Sequence, residues 1–311
     1  MKAVMAHEFG GAEALSYEDS IKPRLHKGEL LIKVRASSIN PIDTKSIRAD
    51  SEYKDLLTLP LIPGVDVAGI VADIGEGVTS LKTGEKVYGY AGVLQQGTGA
   101  FAEYTVVPEN SIAKMPENLT FTEAGAISLA ASSAYLALVG HMKLQPAQKI
   151  LIHGGAGGIG TFAIQLAKHL GAHVTATTSV DGIVYATFQG ADEVIDYEFQ
   201  SFEKILKDYD AVLDTVGGEV YTKSFQVLKK GGIIVSMLCP PNETLMKQYT
   251  VRAVLEVIKV NQDLLNKIST LVEEGVLKVN ISKIYPLKNI RDAFEAKEND
   301  HVLGKIAIEV A

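Results

Sequence analysis

The sequence predicts an α/β protein in which a strand-rich region, residues 1–120, precedes a domain built on a parallel sheet. Three observations carry this reading. The first 120 residues set β-prone segments between Gly and Pro breaks. The middle of the chain alternates short apolar strands with helix-length segments. A glycine-rich turn, His153-Gly154-Gly155-Ala156-Gly157-Gly158-Ile159-Gly160, joins one such strand to one such helix. At 311 residues the chain is long enough for two domains and a sizeable core, and no short repeat supports a solenoid.

In chain order, Leu30–Ala36, Val65–Val71 and Val87–Ala91 read as strands, divided by Pro60, Pro63-Gly64, Gly75, Gly77 and Gly84, and Phe101–Val107 follows before Pro108. Glu123–Leu138 reads as a small-residue helix. Strands are then expected at Ile150–Ile152, Val174–Thr177, Asp192–Asp196, Ala211–Asp214 and Gly231–Met237. Helices are expected between them at Thr161–His169, Ile183–Phe188 and Val220–Leu228, which makes βαβ units. Residues 243–274 look mainly helical, Ile281–Tyr285 and Lys305–Val310 look like strands, and Ile290–Lys297 like a helix.

Composition narrows the function classes. Thirty basic residues against 37 acidic ones give a net charge of −7, which argues against a dedicated nucleic-acid binder. The start of the chain lacks a signal-peptide core, and no apolar run approaches the roughly 20 residues of a membrane span, so a cytoplasmic enzyme without membrane anchoring is expected. Cys239 is the only cysteine, so no intrachain disulfide can form; beside an apolar strand it reads as a buried structural thiol.

The glycine turn is the main functional signal. Gly155, Gly157 and Gly160 fall at the GxGxxG spacing between a strand and a helix, which suits a dinucleotide whose diphosphate rests on backbone amides. Gly155, Ala156, Gly157, Gly158, Ile159 and Gly160 are therefore cofactor-binding candidates. A close-packing turn with no nucleotide is the alternative. At the end of the next strand stand Thr178 and Ser179, whose hydroxyls do not repel a 2′-phosphate, and this leans the reading towards NADPH. Asp181 nearby is a warning, and no Arg or Lys immediately follows the strand.

Further stretches join these signals: Asn40-Pro41-Ile42-Asp43, Leu59 to Gly69, Gly99 to Tyr104, Ser133-Ala134-Tyr135, Gly190-Ala191-Asp192, Asp214-Thr215-Val216-Gly217-Gly218 and His301 to Lys305. In this order they resemble the medium-chain dehydrogenase/reductase superfamily, in particular its zinc-independent NADPH:quinone oxidoreductase branch, over nearly the whole chain. The resemblance implies a GroES-like substrate domain formed by residues 1–120 and a return over residues 280–311. It places a Rossmann cofactor-binding domain at residues 121–279 and implies a homodimer. A zinc enzyme of this superfamily would have Cys at Asn40 and Gly-His-Glu at Gly64-Val65-Asp66, so no metal is expected.

The same resemblance sets the remaining site expectations. Asn40 and Asp43 would border the nicotinamide, Asn40 orienting ring or substrate carbonyl and Asp43 organising donors; capping a turn or helix is the competing role. Ser133 would lie near the cofactor or cap a helix, Gly217 would bind cofactor, and Lys305 would approach the cofactor or form a surface salt bridge. Many quinone reductases place an aromatic residue just after the Asn–Asp segment; here Lys45 is close to that place, and Tyr53 is the candidate to fill the pocket and donate a proton. The expected reaction is hydride transfer from NADPH to a small quinone or α,β-unsaturated carbonyl. The alternatives are an enoyl or alkenal reductase as the physiological activity, or an NADPH-binding structural or regulatory protein with weak activity.

Overall fold

The computed structural model describes residues 1–310 and divides into two compact units, one of residues 1–129, 259–275 and 279 onward, the other of residues 130–258 and 276–278. The first unit begins with an antiparallel ribbon of β1 (Lys2–Ala6) and β2 (Leu15–Asp19). Next comes β3 (Glu29–Ser38), which buries Leu30, Ile32, Val34 and Ala36 on alternate positions while Lys33 and Arg35 stay exposed. Asn40 and Pro41 open the short helix α1 (Pro41–Ile47), proline taking the first position, where a missing N–H costs nothing. Strands β4 (Asp66–Ile74), β5 (Lys86–Tyr90), β6 (Tyr104–Pro108) and β7 (Ile112–Lys114) complete this stretch, β4 and β6 both pairing antiparallel with β3. Helix α2 (Phe121–Ala124) and helix α3 (Ser128–Tyr135) follow.

The second unit contains a six-stranded parallel sheet. Its elements run β8 (Lys149–His153), α4 (Gly158–His169), β9 (His173–Thr178), α5 (Ile183–Phe188), β10 (Glu193–Asp196), α6 (Phe202–Ile205), β11 (Tyr209–Asp214), α7 (Gly218–Ser224), β12 (Leu228–Ser236), α8 (Glu243–Tyr249) and β13 (Arg252–Leu255). The strand order is β10-β9-β8-β11-β12-β13. The chain thus winds outwards one way from β8 to β10, then returns to β11 and winds the other way. Ligands of such sheets bind beyond the carboxyl ends of the strands, at the reversal between β8 and β11.

The chain then re-enters the first unit with α9 (Gln262–Glu273), β14 (Ile281–Pro286), α10 (Ile290–Asn299) and β15 (Lys305–Glu309). β14 and β15 pair parallel, and β15 pairs antiparallel with the end of β3, giving a seven-stranded sheet around Val34, Val67, Phe101, Phe294 and Ile306. The mixed α/β architecture, with a GroES-like β-rich unit and a Rossmann-like parallel-sheet unit, is the fold class expected from the sequence.

Several elements differ from the sequence reading. Residues 123–138 are not one helix: a capping box from Thr120 to Glu123 starts α2, Gly125 ends it, and α3 passes into a π-helical segment, Leu136–Met142. Within residues 243–274 lies β13, whose Arg-Ala-Val-Leu sequence gives a weak local signal that pairing with β12 decides. The expected helix over 220–228 is shorter, because Leu228 already pairs with Tyr209. Cys239 is half-buried rather than buried. Helix α9 sits in the first unit: Leu264, Leu265, Ile268 and Val272 form its buried stripe, and the Tyr88 hydroxyl donates to the Leu265 carbonyl at 2.7 Å. Replacing Tyr88 by Phe should leave that carbonyl short of a donor, cost about 1 kcal/mol and lower the melting temperature by a few degrees. A calorimetric scan of the variant that shows no change would remove this bond as a tie for α9.

Candidate active site

The glycine turn lies at the carboxyl end of β8 and opens α4. Gly154 has φ of +69°. A methyl on Gly160 would come 2.2 Å from the Gly154 carbonyl oxygen, and one on Gly155 would come 2.7 Å from the Ala176 Cβ. Gly157, the helix N-cap, meets only the Gly154 oxygen at 3.3 Å, so the turn is tight on its inner side and open on the outer. The first-turn amides of Gly158, Ile159 and Gly160 have no acceptor within the helix. This cradle fits a diphosphate.

The turn rests on buried polar pins. The His153 ring bonds Thr177 Oγ1 and Ser224 Oγ, both at 2.9 Å, which ties β8 to β9 and α7. Burial pushes its pKa down to about 4 against the opposing pull of Asp214, so the imidazole is neutral at physiological pH. Asp214, at the end of β11, accepts the amides of Val216 and Gly217 and the Ser236 hydroxyl, whose oxygen accepts the Leu238 and Cys239 amides. Gly217 is thereby fixed at the carboxyl edge of the sheet. Thr178 and Ser179 end β9 and are both buried, whereas Asp181 is exposed. Ser133 is buried in the sixth position of α3, which corrects the capping alternative.

The first unit holds a second polar cluster. Asp66, on β4, is fully buried and accepts four donors: the Leu129 amide at Oδ1 (2.8 Å), and Ser38 Oγ (2.7 Å), Asn40 Nδ2 (2.8 Å) and Lys305 Nζ (3.4 Å) at Oδ2. Lys305 also donates to Asn40 Oδ1 at 2.5 Å and to the Ile39 carbonyl at 3.4 Å. Lys305 is therefore not a surface residue: it is 4% exposed, and its ammonium meets three protein acceptors. The Asn40 amide is held in one orientation, carbonyl towards the cation and NH2 towards the anion. Asp43 Oδ2 accepts the Asn40 backbone N–H at 2.7 Å, the returning half of a capping box, so capping and the polar cluster occur together here.

Asp43 Oδ1 is buried without a hydrogen-bond partner. Burial pushes the carboxyl up to about 7; the Asn40 amide opposes this, Asp66 adds to it, and Lys305 and the Val65 N–H pull back. Asp43 also lines a pocket of about 300 Å³, counting its open mouth, with Ser46 and Tyr90 among otherwise apolar walls such as Ile42, Leu61, Val65 and Leu94. Burial raises the Tyr90 phenol, and Asp43, Asp66 and Tyr53 raise it further. Tyr53 itself is half-buried, its phenol raised by burial and by Glu52, and it is not among the residues lining this pocket.

Asp66 and Tyr90 are the residues that sequence reasoning missed. The signal for Asp66 was a lone carboxylate in the apolar run Val65-Asp66-Val67-Ala68, which requires buried partners. Tyr90 carried no such mark.

Two family matches agree with this architecture: the alcohol dehydrogenase GroES-like domain over residues 26–117 and the zinc-binding dehydrogenase family over residues 189–308. The chain is 34% identical over 99% of its length, and 79% of the relative's, to the NADPH-dependent alkenal/one oxidoreductase, chloroplastic, of Arabidopsis thaliana. It is 35% identical, with coverage of 99% and 79%, to the 2-methylene-furan-3-one reductase of Solanum lycopersicum. Among solved structures, the quinone oxidoreductase from Coxiella burnetii superposes with a TM-score of 0.94 at 33% identity, covering 100% of this chain and 99% of that one. The Escherichia coli quinone oxidoreductase complexed with NADPH superposes at 0.90 with 26% identity over 99% and 100%.

The chain belongs to the medium-chain dehydrogenase/reductase superfamily, in its zinc-independent quinone oxidoreductase branch. The residues present do not fit a zinc ion such as the matched zinc-binding dehydrogenase family is named for: Asn40 spends its amide on Asp66 and Lys305, and Val65 has no donor atom. Among the described residues no group of three or more His, Cys, Asp or Glu is placed to hold a metal ion, and no helix is long and apolar enough to cross a membrane.

Two outcomes follow for this cluster. Replacing Asp66 by Ala strands a buried ammonium and should cost about 3–5 kcal/mol in urea unfolding; a loss below about 1 kcal/mol would show that the pair is dispensable. For Asp43, a folded pKa near 7 against an unfolded value near 3.8 means that its stabilising share is full below pH 4 and is lost as pH rises through 7. Asp43→Asn should therefore gain stability relative to the wild type between pH 5 and pH 8, and parallel stability curves for the two proteins would contradict this.

Proposed function

We propose that this chain is an NADPH-dependent reductase of α,β-unsaturated carbonyls and small quinones that works without zinc. The observation that carries this reading is the Asn40 amide, clamped between a buried carboxylate and a buried ammonium. Lys305 draws electron density through the Asn40 carbonyl and so strengthens the amide N–H as a donor. One Nδ2 hydrogen goes to Asp66. The other is assigned to the substrate oxygen, where negative charge develops during reduction.

When bound, the reduced nicotinamide supplies a hydride from its C4. Conjugation makes the ring or β-carbon of these substrates an acceptor without a stronger Lewis acid. The turn from Gly155 to Gly160, with Ser133, Thr178, Ser179 and Gly217, is assigned to holding the cofactor. Lys305 is reassigned from the cofactor to positioning Asn40, since its donors are already engaged there. Asp43 supports the same residue, its carboxylate accepting the Asn40 backbone N–H. Solvent is assigned as the proton source; Tyr53, the sequence's candidate donor, is half-buried and outside the pocket that Asp43 and Tyr90 line.

Two relatives carry names that describe carbonyls conjugated to a carbon–carbon double bond, alkenal/one and 2-methylene-furan-3-one, and this favours enones as the first substrate class. The likeness to quinone oxidoreductases supports quinones as the second. We further propose a cytoplasmic homodimer as the working form; relatives described as chloroplastic and mitochondrial carry the fold elsewhere.

Metal-depleted protein should turn over enones or quinones with NADPH and leave simple alcohols untouched; strict dependence on added zinc with alcohols would sink the reading. Asn40→Ala should lower kcat by about a hundredfold, as loss of one oxyanion donor does, while the Kd for NADPH stays within twofold. Unchanged turnover would remove Asn40 from the mechanism.

A further inference from the structure

Reducing a conjugated carbonyl takes a proton as well as a hydride, and one side chain of the pocket on α1 is placed to carry it. Asp43 is 1% exposed and lines that pocket. Among the described residues, its Oδ1 is the only buried carboxylate oxygen without a hydrogen-bond partner. A buried acceptor in that state has lost water and regained no bond, which favours the neutral acid or a ligand set against it. Oδ2 is engaged already: it accepts the Asn40 backbone N–H at 2.7 Å, and it can do so in the ionised or the neutral carboxyl. When the group is protonated, the hydrogen therefore sits on Oδ1.

The surroundings set when that proton is present. Burial and the Asp66 carboxylate on β4 disfavour charge on Asp43. Lys305 on β15 and the N–H groups of Asn40 and Val65 favour it, but burial outweighs them, and the group is half-titrated at about pH 7. Tyr90 on β5 lines the same pocket, and its phenol, raised by burial and by Asp43, stays protonated through this range. The other walls bring no charge, so Asp43 is the one carboxyl that the pocket offers.

We propose that Asp43 is a catalytic residue for enones, its Oδ1 passing the completing proton to the substrate in this pocket and taking a replacement from solvent. This rests on the reductase reading above; solvent remains the source, and Asp43 is the carrier. The hydride, given up as the nicotinamide is oxidised, forms a C–H bond at the β-carbon, and the C=C π pair shifts towards the carbonyl to leave an enolate. The enolate α-carbon takes the Oδ1 proton as that O–H bond breaks, and the resulting carboxylate regains a proton from water. A quinone needs no such carrier. Hydride turns it into a hydroquinone anion, a phenolate that can leave and be protonated in water.

Steady-state turnover with NADPH, using cyclohexenone and benzoquinone as the two acceptors, tests this. Asp43→Asn keeps an oxygen for the Asn40 N–H, and a melting curve checks that the variant folds. With cyclohexenone it should lower kcat by about a hundredfold, as loss of a general acid does, and with benzoquinone by less than about threefold. Wild-type kcat with cyclohexenone should fall by about tenfold per pH unit above about pH 7, since the acid form is the active one; this limb should vanish in Asp43→Asn and persist in Tyr90→Phe. Equal losses on both acceptors overturn the proposal, as does a loss below about threefold with the enone. So does a wild-type enone profile that is flat from about pH 6 to about pH 9, a result that depends on no variant. Wild-type protein that turns over neither acceptor would instead sink the reductase reading itself.

Discussion

The buried carboxylate of Asp66 is the interaction on which the substrate-side cluster depends. It sits in β4 with no exposed surface, and removing such a charge from water costs several kcal/mol unless donors surround it. Four do, and they come from distant parts of the chain: Ser38 at the end of β3, Asn40 at the start of α1, Leu129 in α3 and Lys305 at the start of β15. Satisfying one side chain therefore fixes where a strand ends, a helix begins and the C-terminal return docks. That carboxylate and Lys305 together hold the Asn40 amide in a single orientation.

The nucleotide-side unit uses the same device twice. His153 is kept neutral by burial, so one ring nitrogen donates and the other accepts, and it ties the strand before the glycine turn to β9 and α7. Asp214 gathers the amides beyond β11, and Ser236 those beyond β12. Backbone near a diphosphate must be small and therefore has few side chains to brace it. The bracing comes from one layer below, from polar side chains on the strand ends.

Residues that act through the backbone were legible in the sequence, and residues that act through distant partners were not. The glycine turn was readable because its spacing and flanking strand and helix are local. Asn40, Asp43 and Lys305 stood out through family order, but their pairing did not: Lys305 lies 265 residues from Asn40, and nothing local marks it as buried against that residue. An isolated lysine near a strand reads as a surface group. Strand β13 was hidden for a related reason, since its four residues become a strand only against β12. Tyr90 looked like one more β-prone aromatic and became notable only beside Asp43 and the pocket. In α9 the apolar stripe was visible as a helix, but its place in the first unit rests on Tyr88 reaching Leu265.

The chemistry of the site follows from what its polar groups can and cannot do. Asp66, Lys305 and Asn40 are each committed to the others, so this cluster presents no free, strongly polarising cation, and in the proposed reaction it offers one oriented amide donor. Such a cluster is poorly suited to activating a saturated alcohol or an isolated ketone, where most of the barrier lies in creating charge on oxygen. A conjugated acceptor spreads that charge over several atoms, and a single strengthened amide donor then matches the smaller demand. The substitution of Asn40 and Val65 for sulfur and imidazole thus reaches beyond the metal. On the proposed reading, it requires a substrate that is already electrophilic, which is the property that conjugated carbonyls and quinones share.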